Sequence, residues 1–247
     1  MFRCLFMKHI CTTHCYRKRL GLNGEGRPAR HPKIELAVFD MDGVLVDAKS
    51  SWAWVHNHFR CNNNESVERY LKGEIDDLEF IRRDIALWRK SDSEHSTISD
   101  ISSILEDVPI MKGAKECMDR LAENGVVLGI VSAGLDLLAN RVAHELGMEH
   151  VYANGLLAGR GGILSGEGIL RVPLVDKASS VRQIASDTGI PLSRVAAIGN
   201  SCFDIGMFDV SGYGIAFNSE DECVEREADR VITEKDLLLV AEAILEQ

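Results

Sequence analysis

The chain has 247 residues, 45% of them hydrophobic and 27% charged, with 28 Lys and Arg against 38 Asp and Glu for a formal net charge of −10. That length and apolar content support one globular core carrying at most a modest insertion, and they exclude a disordered chain. No run of about 18 apolar residues occurs, which excludes a membrane-spanning helix, and the acidic balance argues against binding a nucleic-acid backbone.

Residues 1–33 differ in kind from the rest, with eight Lys/Arg and one acid, Glu25, which leaves the body at 20 basic and 37 acidic residues, a net of −17. This head also holds Cys4, Cys11 and Cys15 among His9 and His14. Their spacing matches no common zinc framework, so the head is read as a basic, disordered extension. The scattered Cys61, Cys117, Cys202 and Cys223 read as reduced thiols of a cytoplasmic protein.

From residue 34 strands alternate with helices. Apolar runs at Leu36 to Phe39, Val126 to Val131, Val195 to Ile198 and Tyr213 to Phe217, with Val231 and Ile232 as a short edge, suit strands buried on both faces. Helical periodicity marks Ala114 to Glu123, Leu135 to Leu146, Ala178 to Thr188, Cys202 to Phe208 and Lys235 to Leu245. The alternation predicts an α/β fold, a Rossmann-like parallel sheet with helices on both faces. Residues 47–112 interrupt it with helical stretches at Trp52 to Phe59, Glu65 to Lys72 and Leu78 to Arg89, predicting a helical cap inserted into a core of residues 34–46 and 113–247. The Gly-rich stretch Leu156 to Val172 reads as a small β-hairpin flap.

Ligands of open parallel sheets bind beyond the carboxyl ends of the strands. Polar residues gather there: Asp40-Met41-Asp42-Gly43-Val44 after the first strand, Ser132-Ala133-Gly134 after the second, and Gly199-Asn200-Ser201-Cys202-Phe203-Asp204 after Ile198, with Lys177 opening the preceding helix. Asp40 and Asp42, two apart in extended chain, face the same side. Held close, they repel unless a cation or proton separates them, and Mg²⁺ suits such oxygen ligands. The group fits phosphoryl transfer. Asp40 attacks phosphorus, Lys177 and the metal balance the transferring oxygens, Ser132 and the loop amides of Ala133 and Gly134 donate hydrogen bonds, and Asp42 serves as acid and base. Taken singly, each residue reads as a loop, cap or surface residue; their order at successive strand ends carries the inference.

These four segments resemble the motifs of the haloacid dehalogenase-like superfamily from about residue 34 onward. The cap, the Val131-Ser132-Ala133-Gly134 segment and the hairpin before Lys177 are most similar to phosphoserine phosphatases and their archaeal-type relatives. The resemblance implies Asp40 as nucleophile, Asp42 as acid/base, Ser132 and Lys177 as phosphate ligands, and Mg²⁺ held by Asp40, the Asp42 carbonyl and the fourth motif. It also implies a small phosphorylated metabolite as substrate, and a phosphomutase or a sugar or organic-acid phosphate phosphatase of the same superfamily, or a catalytically weak binding protein, stands as the alternative.

Three positions depart from that pattern. Asn200 replaces the usual aspartate and removes one negative charge, with Asp204 as a candidate compensating ligand, so weaker Mg²⁺ affinity is expected. Lys49 stands where the family places a glutamate against the substrate ammonium. Phe203 replaces a frequent asparagine beside the phosphate. Arg82 falls where the family's carboxylate-binding arginine lies and reads equally as a solvated cap residue. His56 and His58 point apart on a helix and make a poor metal pair, Trp52, Val55 and Phe59 share one helical face as cap core or pocket wall, and Gly159 to Gly162 lack the Lys-Ser/Thr of a nucleotide loop. Oligomeric state has no signature in the sequence.

Overall fold

Four consecutive apolar residues form β1 (Leu36–Phe39), buried along its whole length at the centre of the sheet. The computed structural model describes residues 27–92, 96–219 and 221–246. The other strands are β2 (Val127–Leu135), β3 (His150–Ala158), β4 (Leu164–Ile169), β5 (Val195–Gly199), β6 (Tyr213–Phe217) and β7 (Arg230–Ile232), in the spatial order β4-β3-β2-β1-β5-β6-β7. All neighbours are parallel except β3 and β4, which form the hairpin. β1 pairs in register with both β2 and β5, Phe39 lying between Ile130 and Ile198.

Two-residue periodicity divides the side chains between two layers. Ala37, Phe39, Ile198 and Ile215 pack on one face, which is covered by α5 (Ala114–Glu123), α6 (Asp136–Leu146), α10 (Leu238–Leu245) and the cap. Leu36, Val38, Val195 and Ala197 pack on the other, beneath α7 (Ala178–Thr188), α8 (Ile205–Val210) and α9 (Glu222–Glu227). Burial on both faces explains why the central strands read as unbroken apolar runs.

The cap comprises α1 (Ser51–His58), α2 (Asn64–Leu71), α3 (Asp77–Ser91) and α4 (Ile98–Glu106). α4 escaped the periodicity because its stretch is rich in Ser and Asp, yet Thr97 and Asp100 form a reciprocal capping box at its start. The first half of β3 escaped as well, since His150 and Tyr152 are only half-buried beside the hairpin. β2 runs on to Leu135, so α6 begins one residue later than the periodicity predicts, and the terminal helix starts at Leu238 rather than Lys235. The Cys202 to Phe208 stretch splits into a 3₁₀ turn at Cys202–Asp204 followed by α8.

Residues 1–26 and the Cys4, Cys11, Cys15, His9 and His14 grouping lie outside the described residues. Residues 27–33, assigned to the extension by composition, lie against the core: Arg27 Nε donates to the Ser211 carbonyl and Arg30 sits 4.0 Å over the Tyr213 ring. Cys61, Cys117 and Cys202 carry reduced thiols, whereas Cys223 is disulfide-bonded. This corrects the expectation of a reduced Cys223; thiol pairing depends on which sulfurs packing brings together, and sequence spacing does not encode it. Among the described residues no helix is long and apolar enough to cross a membrane.

Candidate active site

Asp40 follows the last residue of β1, and its amide extends the ladder by donating to the Ile198 carbonyl at 2.9 Å. The chain then turns sharply, with the Leu45 and Val46 amides returning to the Met41 carbonyl. Gly43 takes φ +78° in this turn, and a Cβ there would stand 2.1 Å from Asn200 Nδ2, so conformation and close approach both demand glycine. The turn thereby sets the first motif directly against the loop after β5.

Lys177 occupies the N-cap position of α7 and is buried. Its Nζ lies 2.6 Å from Asp204 Oδ1 and 2.9 Å from Asp40 Oδ1. Oδ1 of Asp40 is buried, and the Lys177 ammonium is its ionic partner, with no further hydrogen-bond donor on it among the described residues. Burial pushes the Asp40 carboxyl up to about 7, aided by the charges of Asp204 and Asp42 and opposed by Lys177. Burial also works against the charge on Lys177, but Asp204 and Asp40 outweigh it and hold the ammonium well above the ordinary lysine range.

Asp204 is fully buried and spends both oxygens on the protein. Oδ1 meets Lys177, while Oδ2 accepts from the Asn200 amide, the Ser201 amide and the Ser201 hydroxyl at 2.9–3.0 Å. These bonds shape the turn that presents Asn200, which remains half-buried beside Gly43. The expectation that Asp204 compensates as a metal ligand thus meets a carboxylate already engaged on both sides.

Asp42 faces the cap. Its Oδ1 accepts the Ser51 amide and its Oδ2 the Ser51 hydroxyl, both at 2.9 Å. Burial raises the Asp42 carboxyl to about 6, against the lowering effect of the two Ser51 bonds and of Lys177. On the neighbouring strand β2, Ser132 is buried and its hydroxyl accepts the Gly134 amide at 3.0 Å. The Ala133 carbonyl accepts from the Trp52 indole N–H and from Asn154 Nδ2, each at 3.1 Å. A Cβ on Gly134 would stand 2.6 Å from both Asp42 Oδ2 and Ser51 Oγ, so this glycine admits the close approach of loop, acid and cap.

A buried lysine between two carboxylates at the carboxyl ends of a parallel sheet fits a known family model, that of the haloacid dehalogenase-like hydrolases, which matches residues 37–209. The chain belongs to this family. The hydrolase is similar to the phosphoserine phosphatase of Streptococcus thermophilus, 31% identical over 215 residues that cover 85% of this chain and 95% of that protein. It is also similar to the phosphoserine phosphatase of Archaeoglobus fulgidus, 29% identical over 237 residues; these cover 92% of this chain but 65% of that longer protein. A solved structure described as a phospho-aspartyl intermediate analogue of phosphoserine phosphatase shares the fold, with a TM-score of 0.71, 24% identity and coverage of 86% of this chain and 99% of that one.

In this hydrolase the predicted residues Asp40, Asp42, Ser132, Ala133, Gly134, Lys177, Asn200 and Asp204 come from separate segments to one rim of the sheet. Lys49 and Arg82 lie on the cap and are exposed. Arg82 Nε pairs with Glu167 Oε2 of the hairpin at 2.7 Å, so its guanidinium already faces a carboxylate. His56 is buried, accepting from the Trp88 indole at Nδ1 and standing 3.3 Å from Asp84 at Nε2, and among the described residues no three His, Cys, Asp or Glu converge as a metal cage. Trp52 stacks on Trp88 as cap core and also donates from its indole N–H to the Ala133 carbonyl. Sequence reasoning missed Ser51 and Asn154. Asn154 satisfies all of its amide, donating to Ala133 and Val172 and accepting from the Arg171 and Val172 amides. Only its place in a strand beside the Ser132 loop could have signalled that role.

Proposed function

We propose that the chain is a phosphomonoester hydrolase working through an aspartyl-phosphate on Asp40. The supporting observation is the buried Asp40 Oδ1, held 2.9 Å from the Lys177 ammonium with no further hydrogen-bond donor among the described residues. An unsolvated carboxylate oxygen beside a fixed cation is a nucleophile whose target must carry its own negative charge. Asp40 attacks phosphorus, the ester P–O bond breaks, and Asp42 gives its proton to the departing alkoxide; Asp42 then takes a proton from the water that cleaves the acyl phosphate. A group titrating near 6 can hold a proton for the first step and accept one in the second. Lys177 and the Ser132 loop bind the phosphoryl oxygens.

The donor chemistry fits a hard cation. The Asp40 carboxylate oxygen that does not attack, the Asp42 backbone carbonyl and the Asn200 side-chain oxygen would hold Mg²⁺. Bound there, it supplies positive charge toward the phosphoryl group. In our reading Asp204 is a positioning residue that orients Lys177 and the Asn200 turn, because both of its oxygens are engaged. The substrate is a small phosphorylated metabolite, with phosphoserine the first to assay given the names of the similar proteins. Lys49 in place of an acid disfavours an ammonium on that substrate, and Glu167 draws Arg82 away from a substrate carboxylate.

Phosphate release from a panel of phosphorylated metabolites with Mg²⁺ tests the reading. Wild type should release phosphate, and Asp40→Asn should lower the rate more than about a thousandfold. Isomerisation without release would favour the mutase, and an unchanged rate in Asp40→Asn would leave only a binding protein.

A further inference from the structure

Ser51 is the first residue of the first cap helix, fully buried, and it touches both oxygens of the core residue Asp42. Its hydroxyl has a single proton, directed to Asp42 Oδ2, and one of its lone pairs accepts the Leu135 amide at 3.0 Å. Leu135 directly follows Ser132-Ala133-Gly134 at the irregular end of β2, so one serine side chain joins the acid/base, the cap and the segment read as phosphate-binding. Two donors in a fixed fork set the plane of a carboxyl group, which one bond leaves free to rotate about χ2. The serine amide is one of the donors that the start of a helix leaves unpaired, so the helix loses nothing by lending it to Asp42.

We propose that Ser51 is a positioning residue for Asp42: it aligns the carboxyl group for proton transfer to the leaving alcohol, so that this step depends on the seat of the cap helix. The inference rests on the phosphatase reading and goes beyond it by assigning a cap residue to one proton transfer. Alignment matters most where the leaving group needs the proton. An alkyl phosphate needs it, whereas p-nitrophenolate leaves without one.

The experiment measures kcat/KM of wild type, Ser51→Ala, Ser51→Thr and Asp42→Asn for the best alkyl phosphate of the panel and for p-nitrophenyl phosphate, with Mg²⁺ present. This ratio reports the steps through aspartyl-phosphate formation. Ser51→Ala should lose about 10- to 100-fold on the alkyl ester and less than about threefold on the aryl ester. Ser51→Thr, which keeps the hydroxyl, should return the alkyl rate to within about threefold of wild type, and Asp42→Asn should show the same discrimination more strongly. Inhibition by inorganic phosphate should stay unchanged in Ser51→Ala. Equal losses on both esters, no loss, or no rescue by threonine would overturn the inference while leaving the phosphatase reading intact. A wild type that cleaves only the aryl ester also overturns it, and one that cleaves neither overturns both. Should Ser51→Ala not fold, Ser51→Cys takes its place with the same discrimination expected; failure of both to fold would make Ser51 structural and overturn the inference.

Discussion

Asp204 meets Lys177 with one oxygen and the Asn200-Ser201 turn with the other, so in our reading the charge that Asn200 withholds from the rim is not restored by its neighbour. Asn200→Asp adds an anion beside Asp40 and Asp42. Calorimetric titration should show Mg²⁺ bound about tenfold more tightly by the variant, as expected for one added charge partly exposed to water; equal or weaker binding would place the metal elsewhere. Asp42 gives a second test. Its folded carboxyl titrates near 6 against an ordinary 3.8, so the folded state holds this proton more tightly than the unfolded chain. The resulting stability is complete below pH 4 and is lost as pH rises through 6. With divalent ions chelated, the stability of wild type relative to Asp42→Asn should fall by about 2–3 kcal/mol between pH 4 and pH 7 in urea unfolding. A pH-independent difference would mean that the two Ser51 bonds cancel the cost of burial.

Elements place these residues with little help from loops. β1 ends at the Asp40 turn, β5 ends at Gly199, and α7 starts on Lys177, so regular structure delivers three of the four motifs. The hairpin is held by the cap: Arg82 meets Glu167, Arg89 donates to the Ser165 carbonyl, the Leu164 amide donates to the Ser96 carbonyl, and Ile81 packs on Gly168. A Cβ at Gly168 would lie 2.2 Å from Ile81 Cγ2, and Ile81 is buried. Gly168→Ala should therefore cost about 1–3 kcal/mol in urea unfolding and raise amide exchange along β4. Gly159→Ala, where the nearest atom is 3.8 Å away, should leave both unchanged. The central strands were legible because burial on both faces leaves an apolar run with sharp ends, whereas α4 and the first half of β3 are half-buried and carry polar residues at the positions periodicity relies on.

Across the whole molecule, a body at −17 opposes anionic esters at long range, so in the proposed phosphatase attraction is built locally around Lys177 and the cation we place beside Asp40. The strand order of the sheet makes this possible by setting β1 between β2 and β5, so that the first motif has the second on one side and the fourth on the other. The sequence by itself determined the α/β class, and it pointed to helices inserted between the first two strands and to Asp40, Asp42, Ser132, Lys177 and Asn200 as the candidate site, because two-residue alternation, turn chemistry and strand-end position are short-range properties. Only the tertiary structure decided that Ser51 holds Asp42, that Asn154 and Trp52 pin the Ala133 carbonyl, that Glu167 takes Arg82 and that Cys223 is bonded. These contacts join residues 9, 21, 81 and 85 positions apart where separations are defined. Their formation depends on how crossovers and the cap insertion fold back over the sheet, and no local pattern of residues carries that information.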